Sequence, residues 1–84
     1  MRLRRDIAIS ETADGLLLRD ERRGRDWQLN AAGAFVLRAM LAGRGGEELS
    51  LSVALKQHID PDEARRDITA LTDYLRAARV VETP

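Results

Sequence analysis

Apolar and polar positions alternate through the first third of the chain. Ile7 and Ile9 are separated by Ala8 and followed by Ser10, the period-2 pattern of a half-buried strand. Thr12-Ala13-Asp14-Gly15 comes next, and an Asp-Gly pair between two apolar runs predicts a hairpin turn. Leu16-Leu17-Leu18 reads as a short, largely buried strand that ends in Arg19-Asp20. Glu21-Arg22-Arg23-Gly24 is the following turn, with Gly24 free to adopt a positive φ. Arg25-Asp26-Trp27-Gln28-Leu29 resumes the alternation, with Trp27 and Leu29 on one face. The pattern predicts a three-stranded antiparallel meander with its third strand at the edge.

After Leu29 the period lengthens from 2 to about 3.6. Asn30 is suited to cap a helix over Ala31–Ala42, whose buried stripe is Phe35, Val36, Ala39 and Met40. Gly43-Arg44-Gly45-Gly46 ends that helix. A second helix is predicted over Glu48 to His58, with Leu51, Ala54 and Leu55 inward. Asp60-Pro61-Asp62-Glu63 marks the start of a third, with Asp60 as N-cap, Pro61 at the first helical position and Glu63 completing a capping box. Ala64, Ile68, Leu71, Leu75 and Ala78 recur along it at helical spacing, and Val80-Val81 packs back onto the core. The expected fold is α+β: a winged helix-turn-helix arrangement in permuted order, the meander followed by three helices.

Length and composition narrow the function. A chain of 84 residues is read as one domain, 1–84, burying only about 60–65% of its unfolded surface. With no cysteine and one histidine, His58, the common zinc ligand sets cannot be assembled, and no cofactor is expected. Ser10, Ser50 and Ser52 lack the glycine setting of a nucleophile elbow, so the chain is not read as an enzyme. Apolar runs are too short for a membrane span, and Met1-Arg2-Leu3-Arg4-Arg5-Asp6 is not followed by the apolar stretch of a signal peptide. A soluble, cytoplasmic protein is expected.

A winged helix raises DNA binding, and charge argues against it. Fourteen basic residues balance fourteen acidic ones. From Pro61 onward, Arg65, Arg66, Arg76 and Arg79 face Asp62, Glu63, Asp67, Asp73 and Glu82, whereas a recognition helix needs uncompensated cations. Arg19, Arg22, Arg23 and Arg25 crowd the second turn, diluted by Asp20, Glu21 and Asp26; a solvated hairpin tip and a phosphate-contacting wing are both open readings.

Asp14-Gly15-Leu16-Leu17-Leu18, Asp20-Glu21-Arg22-Arg23-Gly24 and Leu29-Asn30-Ala31-Ala32-Gly33, followed by Asp67-Ile68 with Leu71 and Leu75, resemble the PqqD-like family in order and spacing. The resemblance runs from about Ile7 to Glu82 and is nearest to the small stand-alone members of lasso peptide biosynthesis. It implies a RiPP recognition element, a non-catalytic domain that binds the leader of a ribosomally made precursor. It further implies a leader strand added to the third strand, beside the third helix. The implied partners are the precursor leader peptide, a separate leader peptidase and a macrocyclase, with no nucleic acid and no membrane. Where relatives often carry Gly before the terminal Val-Val, this chain has Arg79, so the last helix is expected to end differently.

The peptide-binding residues expected on this basis are Arg25, Asp26, Trp27, Gln28 and Leu29 on the strand, and Ala64, Asp67, Ile68, Leu71, Thr72 and Leu75 on the helix. Trp27 reads equally as core and as groove wall, Asp67 as a solvated carboxylate or a peptide ligand. Ile68, Leu71 and Leu75 read first as core, while Ala64 and Thr72 are small enough to leave room for a peptide side chain. Arg65 and Arg66 are candidate partners for acidic peptide residues, in exposed pairs of about 0–1 kcal/mol. Two rival functions stay open: a winged-helix DNA-binding protein, and an adaptor subunit that binds an enzyme but no peptide.

Overall fold

The period-2 segments form a three-stranded antiparallel sheet, and the 3.6-period segments form three helices, the first of which packs directly on the sheet. The computed structural model describes residues 1–82. In chain order the elements are β1 (Arg2–Leu3), β2 (Ile7–Thr12), β3 (Gly15–Asp20), β4 (Arg25–Asn30), α1 (Ala31–Leu41), α2 (Gly46–Gln57), α3 (Pro61–Ala77) and β5 (Val81–Glu82). The meander has the order β2-β3-β4, so β2 and β4 are both edges. A second ladder, not foreseen, pairs β1 with β5 antiparallel. Its two-residue strands are too short to display a period and meet only through tertiary packing.

The core has two compartments divided by α1. On the sheet side, Ala34 and Leu37 pack with Ile7, Leu16, Leu18, Leu75, Val80 and Val81. On the other side, Val36, Ala39 and Met40 pack with Leu49, Val53 and Ala54 of α2 and Ala64 of α3. The buried stripe of α1 is therefore wider than Phe35, Val36, Ala39 and Met40: it takes in Ala34 and Leu37, and Phe35 is only half-buried. Fully burying a leucine such as Leu37 contributes about 1.5–3 kcal/mol.

In α2 the inward face differs from the expected one. Leu49, Ser50, Val53 and Ala54 are buried, whereas Leu51 and Leu55 are 46% and 79% exposed. Apolar residues four apart lie on both sides of this helix, so its periodicity does not select a face. Packing against Met40 and Ala64 selects Leu49 and Val53.

Asn30 and Asp60 cap their helices as expected, but Glu63 does not complete the expected capping box: the Asp60 carboxylate accepts from the amide of Asp62 instead, and Glu63 makes no bond back to Asp60 among the described residues. Asn30 Oδ1 accepts from Gly33 N at 2.9 Å, and Asp60 Oδ1 accepts from Asp62 N at 2.7 Å with Pro61 at the first helical position. Gly24 has φ +69° in the β3–β4 loop. Asp20, nearly buried, organises that loop: its Oδ1 accepts from the N–H groups of Arg22 and Arg23, both at 3.0 Å, and its carbonyl accepts from Gly24 N at 2.8 Å.

Two positions acquire their reason only in three dimensions. The β2–β3 loop consists of Ala13 and Asp14, and Gly15 is already a strand residue paired with Thr12 and Asn30. A side chain at Gly15 would collide with the Leu29 carbonyl oxygen and come within 2.7–2.9 Å of the Asn30 backbone. Close approach of β4, rather than a positive φ, demands glycine there. At the end of α3, Arg79 adopts φ +60°, the left-handed conformation that a glycine would take without strain. Val80 N donates to Leu75 O at 2.9 Å and Arg79 N to Arg76 O at 3.0 Å, the bond pair of a Schellman turn. The last helix thus keeps a glycine-type ending despite its arginine, and Val80 is delivered fully buried into the core.

Two stability outcomes follow from these positions. Gly15→Ala should lower stability by about 1–3 kcal/mol, read as a fall in Tm, because the β4 backbone must move. Arg79→Gly should raise it by about 0.5–1 kcal/mol, with Tm roughly 2–8 °C higher, since relief of the left-handed strain exceeds the added chain entropy.

Candidate functional site

The direction of the free hydrogen-bonding groups on β4 follows from a single bond. Glu21 N donates to Asp6 O at 3.0 Å, and Ile7 faces Asp20 across the β2–β3 ladder. That combination makes Ile7–Asp20 a non-hydrogen-bonded pair, so the polar groups of Asp20 turn away from β2 and towards β4. Both ladders are continuous in register, and the alternation carries along β3. Asp20, Leu18 and Leu16 therefore bond Arg25, Trp27 and Leu29. The backbone N–H and C=O groups of Asp26 and Gln28 point outward, along an edge that no other strand covers among the described residues.

The side chains alternate the other way. Trp27 lies opposite Leu18, and Leu29 opposite Leu16, on the half-buried inner face. Asp26 and Gln28 are exposed, and Asp26 accepts from Arg19 Nη1 at 2.9 Å across the outer face. Trp27, Leu29 and Leu71 of α3 all pack against the sheet-side core, and Leu71 also packs against the helical one.

Where β4 passes into α1, a groove of about 300 Å³ opens between the start of α1, the end of α2 and α3. Its walls are largely apolar: Ala32, Gly33, Val36, Val53, Ile59 and Leu71, with Gln57 and Asp67 as the polar members. A Cβ built on Gly33 would lie 3.5 Å from Leu29 Cβ, so the groove adjoins the inner face of β4 directly. The Asp67 carboxylate is exposed and makes no hydrogen bond or ion pair among the described residues. Among the described residues it is the one carboxylate lining this largely apolar groove.

The eleven residues expected at the site divide into two groups. Arg25, Asp26, Trp27, Gln28 and Leu29 make up all but the last residue of β4, and Asp67 and Leu71 line the groove. Ala64 and Leu75 are both 0% exposed and offer no surface to a ligand, since α3 turns them fully into the core. Thr72 is likewise engaged internally: its hydroxyl donates to Ile68 O at 2.7 Å and lies 3.3 Å from Met40 Sδ. Ile68 is half-buried against the helical core. Arg65 is tied to Asp62 at 2.7 Å and to Glu47 at 3.1 Å, and these hydrogen bonds, Asp62 first, hold its guanidinium pKa above the ordinary arginine value.

The α2 side of the groove, Val53, Gln57 and Ile59, has no counterpart among the expected residues. The signal for it is an apolar residue just beyond a helix end. His58 ends α2 at φ +57°, and Ile59 N donates back to Ala54 O at 3.0 Å, folding Ile59 inward.

Other parts of the surface fit less well. The β2 edge has Glu11 on its inner face, held by Arg38 of α1 at 2.7 Å. A concavity of about 510 Å³ lies on a different face of α1 beneath the β2–β3 loop, and no β4 residue lines it. Among the described residues no three potential metal ligands come together, and no helix is long and apolar enough to cross a membrane.

Comparison with known proteins supplies the context for this edge and groove. A family model described as Coenzyme PQQ synthesis protein D (PqqD) matches residues 15–81. A solved lasso peptide synthetase B1 complexed with the leader peptide is 29% identical, with TM-score 0.90 over 98% of this chain and 96% of that one. TbiB1 in complex with the TbiA(beta) leader peptide is 18% identical, with TM-score 0.86 over 100% and 98%, and bears on the fold alone. No curated protein matches the chain.

The assignment of outward groups on β4 has a direct readout in amide hydrogen exchange of the free protein. The amides of Asp26 and Gln28 should exchange fast, and those of Trp27 and Leu29 should be protected. The inverse pattern would place the open groups on the other register.

Proposed function

This chain belongs to the PqqD family, and on that premise we propose that it binds the leader region of a ribosomally synthesised precursor peptide of the lasso type. The observation that carries the proposal is the uncovered β4 edge with an apolar groove beside it. The leader complex of the 29% identical lasso synthetase B1 supports it. The leader adds as a strand along Arg25–Leu29 and sends side chains towards Leu71 and Asp67.

Magnitudes indicate why both parts are needed. Each ladder bond contributes about 0.5–1.5 kcal/mol net. Ordering each residue of a disordered peptide costs about 1–2 kcal/mol of backbone entropy. A ladder alone roughly cancels or loses, so affinity has to come from apolar groups buried in the groove, at about 1.5–3 kcal/mol for each large side chain. The main chain then fixes the register, and the groove selects the sequence.

In this reading the protein is a recognition partner rather than a catalyst, acting in the cytoplasm where the precursor is made. It holds the leader while a separate peptidase and a macrocyclase act. Duplex DNA is the poorer ligand: α3 presents Asp62, Glu63, Asp67 and Asp73, and Arg65 is already bound to carboxylates.

The test is a titration with a synthetic leader from the precursor encoded beside this chain, followed by emission of the single tryptophan, Trp27, and by calorimetry. Saturable binding is expected, absent with a scrambled peptide. Gln28→Pro removes an outward N–H at an edge position where proline is tolerated, and should weaken binding at least about tenfold with little change in Tm. Gly33→Ala adds a methyl group at ordinary contact distance; it should leave the fold intact or up to about 1 kcal/mol more stable, yet lower affinity by narrowing the groove. Full affinity in Gln28→Pro would rule out strand addition on β4, and absence of heat with any leader would overturn the proposal.

A further inference from the structure

The arginines of this neutral chain fall into two populations. Arg19, Arg38 and Arg65 lie within 3.1 Å of a carboxylate, Arg2 pairs with Glu82 at 2.8 Å, and Arg44 reaches Glu48 at 4.0 Å. Arg66 on α3 has no carboxylate partner among the described residues, and neither do Arg4, Arg5, Arg22, Arg25 and Arg79.

Those five belong to three segments that the backbone joins at one end of the molecule. Arg4 N donates to Val80 O at 2.9 Å, which sets Arg4 beside the Arg79–Val80 turn. Glu21 N donates to Asp6 O at 3.0 Å, which sets the Arg22–Arg23 loop beside Arg5 and Asp6. Arg25 opens β4 in the same row as Ile7 and Asp20. The acidic residues there offset the charge only in part. Asp20 is nearly buried and bonded to the loop amides, Asp6 is half-buried, Asp26 is exposed but held by Arg19, and Glu21 is exposed.

A second observation points the same way. Arg79 occupies a left-handed position that glycine would fill without strain, so this conformation is retained at a cost while keeping a cation at this end.

We propose that this arginine end is a docking surface for a carboxylate-rich patch of a partner protein, distinct from the β4 groove. Guanidinium forks pair carboxylates bidentately, and unpaired arginines need displace no internal partner to do so. Arg25 belongs both to this end and to the open edge, so a protein docked here would touch a peptide where it leaves β4. Nucleic acid fits less well, because a duplex spanning the loop and α3 would meet Asp62, Glu63, Asp67 and Asp73. The proposal goes beyond leader binding and does not depend on it.

The probe is a fluorescently labelled oligoglutamate peptide titrated into the full chain, with a short duplex DNA in parallel. Saturable binding of the peptide is expected, weakening steeply between about 50 and 200 mM salt. Arg5→Ala with Arg22→Ala should lose about tenfold, while Arg66→Ala, an unpaired arginine on α3, should change little. Arg79→Gly should bind about threefold more weakly even though it stabilises the fold, which separates loss of the cation from loss of structure. No saturable binding at low salt, an equal loss in Arg66→Ala, or tighter binding of the duplex than of the peptide would overturn the proposal.

Discussion

The eleven residues of α1 serve two cores at once, and the rest of the structure is arranged around that demand. Ala34 and Leu37 close the sheet side, while Val36, Ala39 and Met40 close the helical side. A helix buried on two sides fixes the sheet, α2 and α3 relative to one another. Leu71 on α3 packs against both compartments and ties them together. The groove is the place where the two compartments come apart, at the junction of β4 with α1, and its walls include core residues Val36 and Val53.

This economy sets core packing and the open edge on the same strand. Trp27 faces Leu18 and helps close the sheet-side core, and the same strand presents the open groups of Asp26 and Gln28 one residue to either side. An open edge invites self-association. The Arg19–Asp26 pair across its outer face and the exposed charge of Arg25 guard this one without occupying its backbone groups. The result is an edge whose outward backbone groups stay open while charged side chains flank them.

Charge is organised on a larger scale than the neutral total implies. Carboxylates at the start of α3 and along it leave Asp67 at the groove, whereas unpaired arginines gather where residues 4–6, the β3–β4 loop and the Arg79 turn adjoin. The groove and the arginine cluster therefore carry opposite charge although the chain as a whole is neutral.

Local chemistry alone determined the meander, the change of period at Asn30, the Asp60-Pro61 helix start and the positive φ at Gly24, because each depends on neighbours a few residues away. The apolar end at Val80-Val81 was legible for the same reason. Tertiary structure decided whatever depended on a choice among equivalent local options. Leu51 and Leu55 offer α2 as good an apolar stripe as Leu49 and Val53, and only contact with Met40 and Ala64 selects between them. Gly15 reads as a turn residue until the β4 backbone is seen to press on it. The β1–β5 ladder joins residues eighty apart, and no local pattern foreshadows it. At the candidate site the strand was readable, since an edge is a property of element order. The helix contribution was readable only for Asp67 and Leu71: Ala64, Leu75 and Leu71 share one stripe, and whether each meets core or groove depends on where α1 and α2 end beside it.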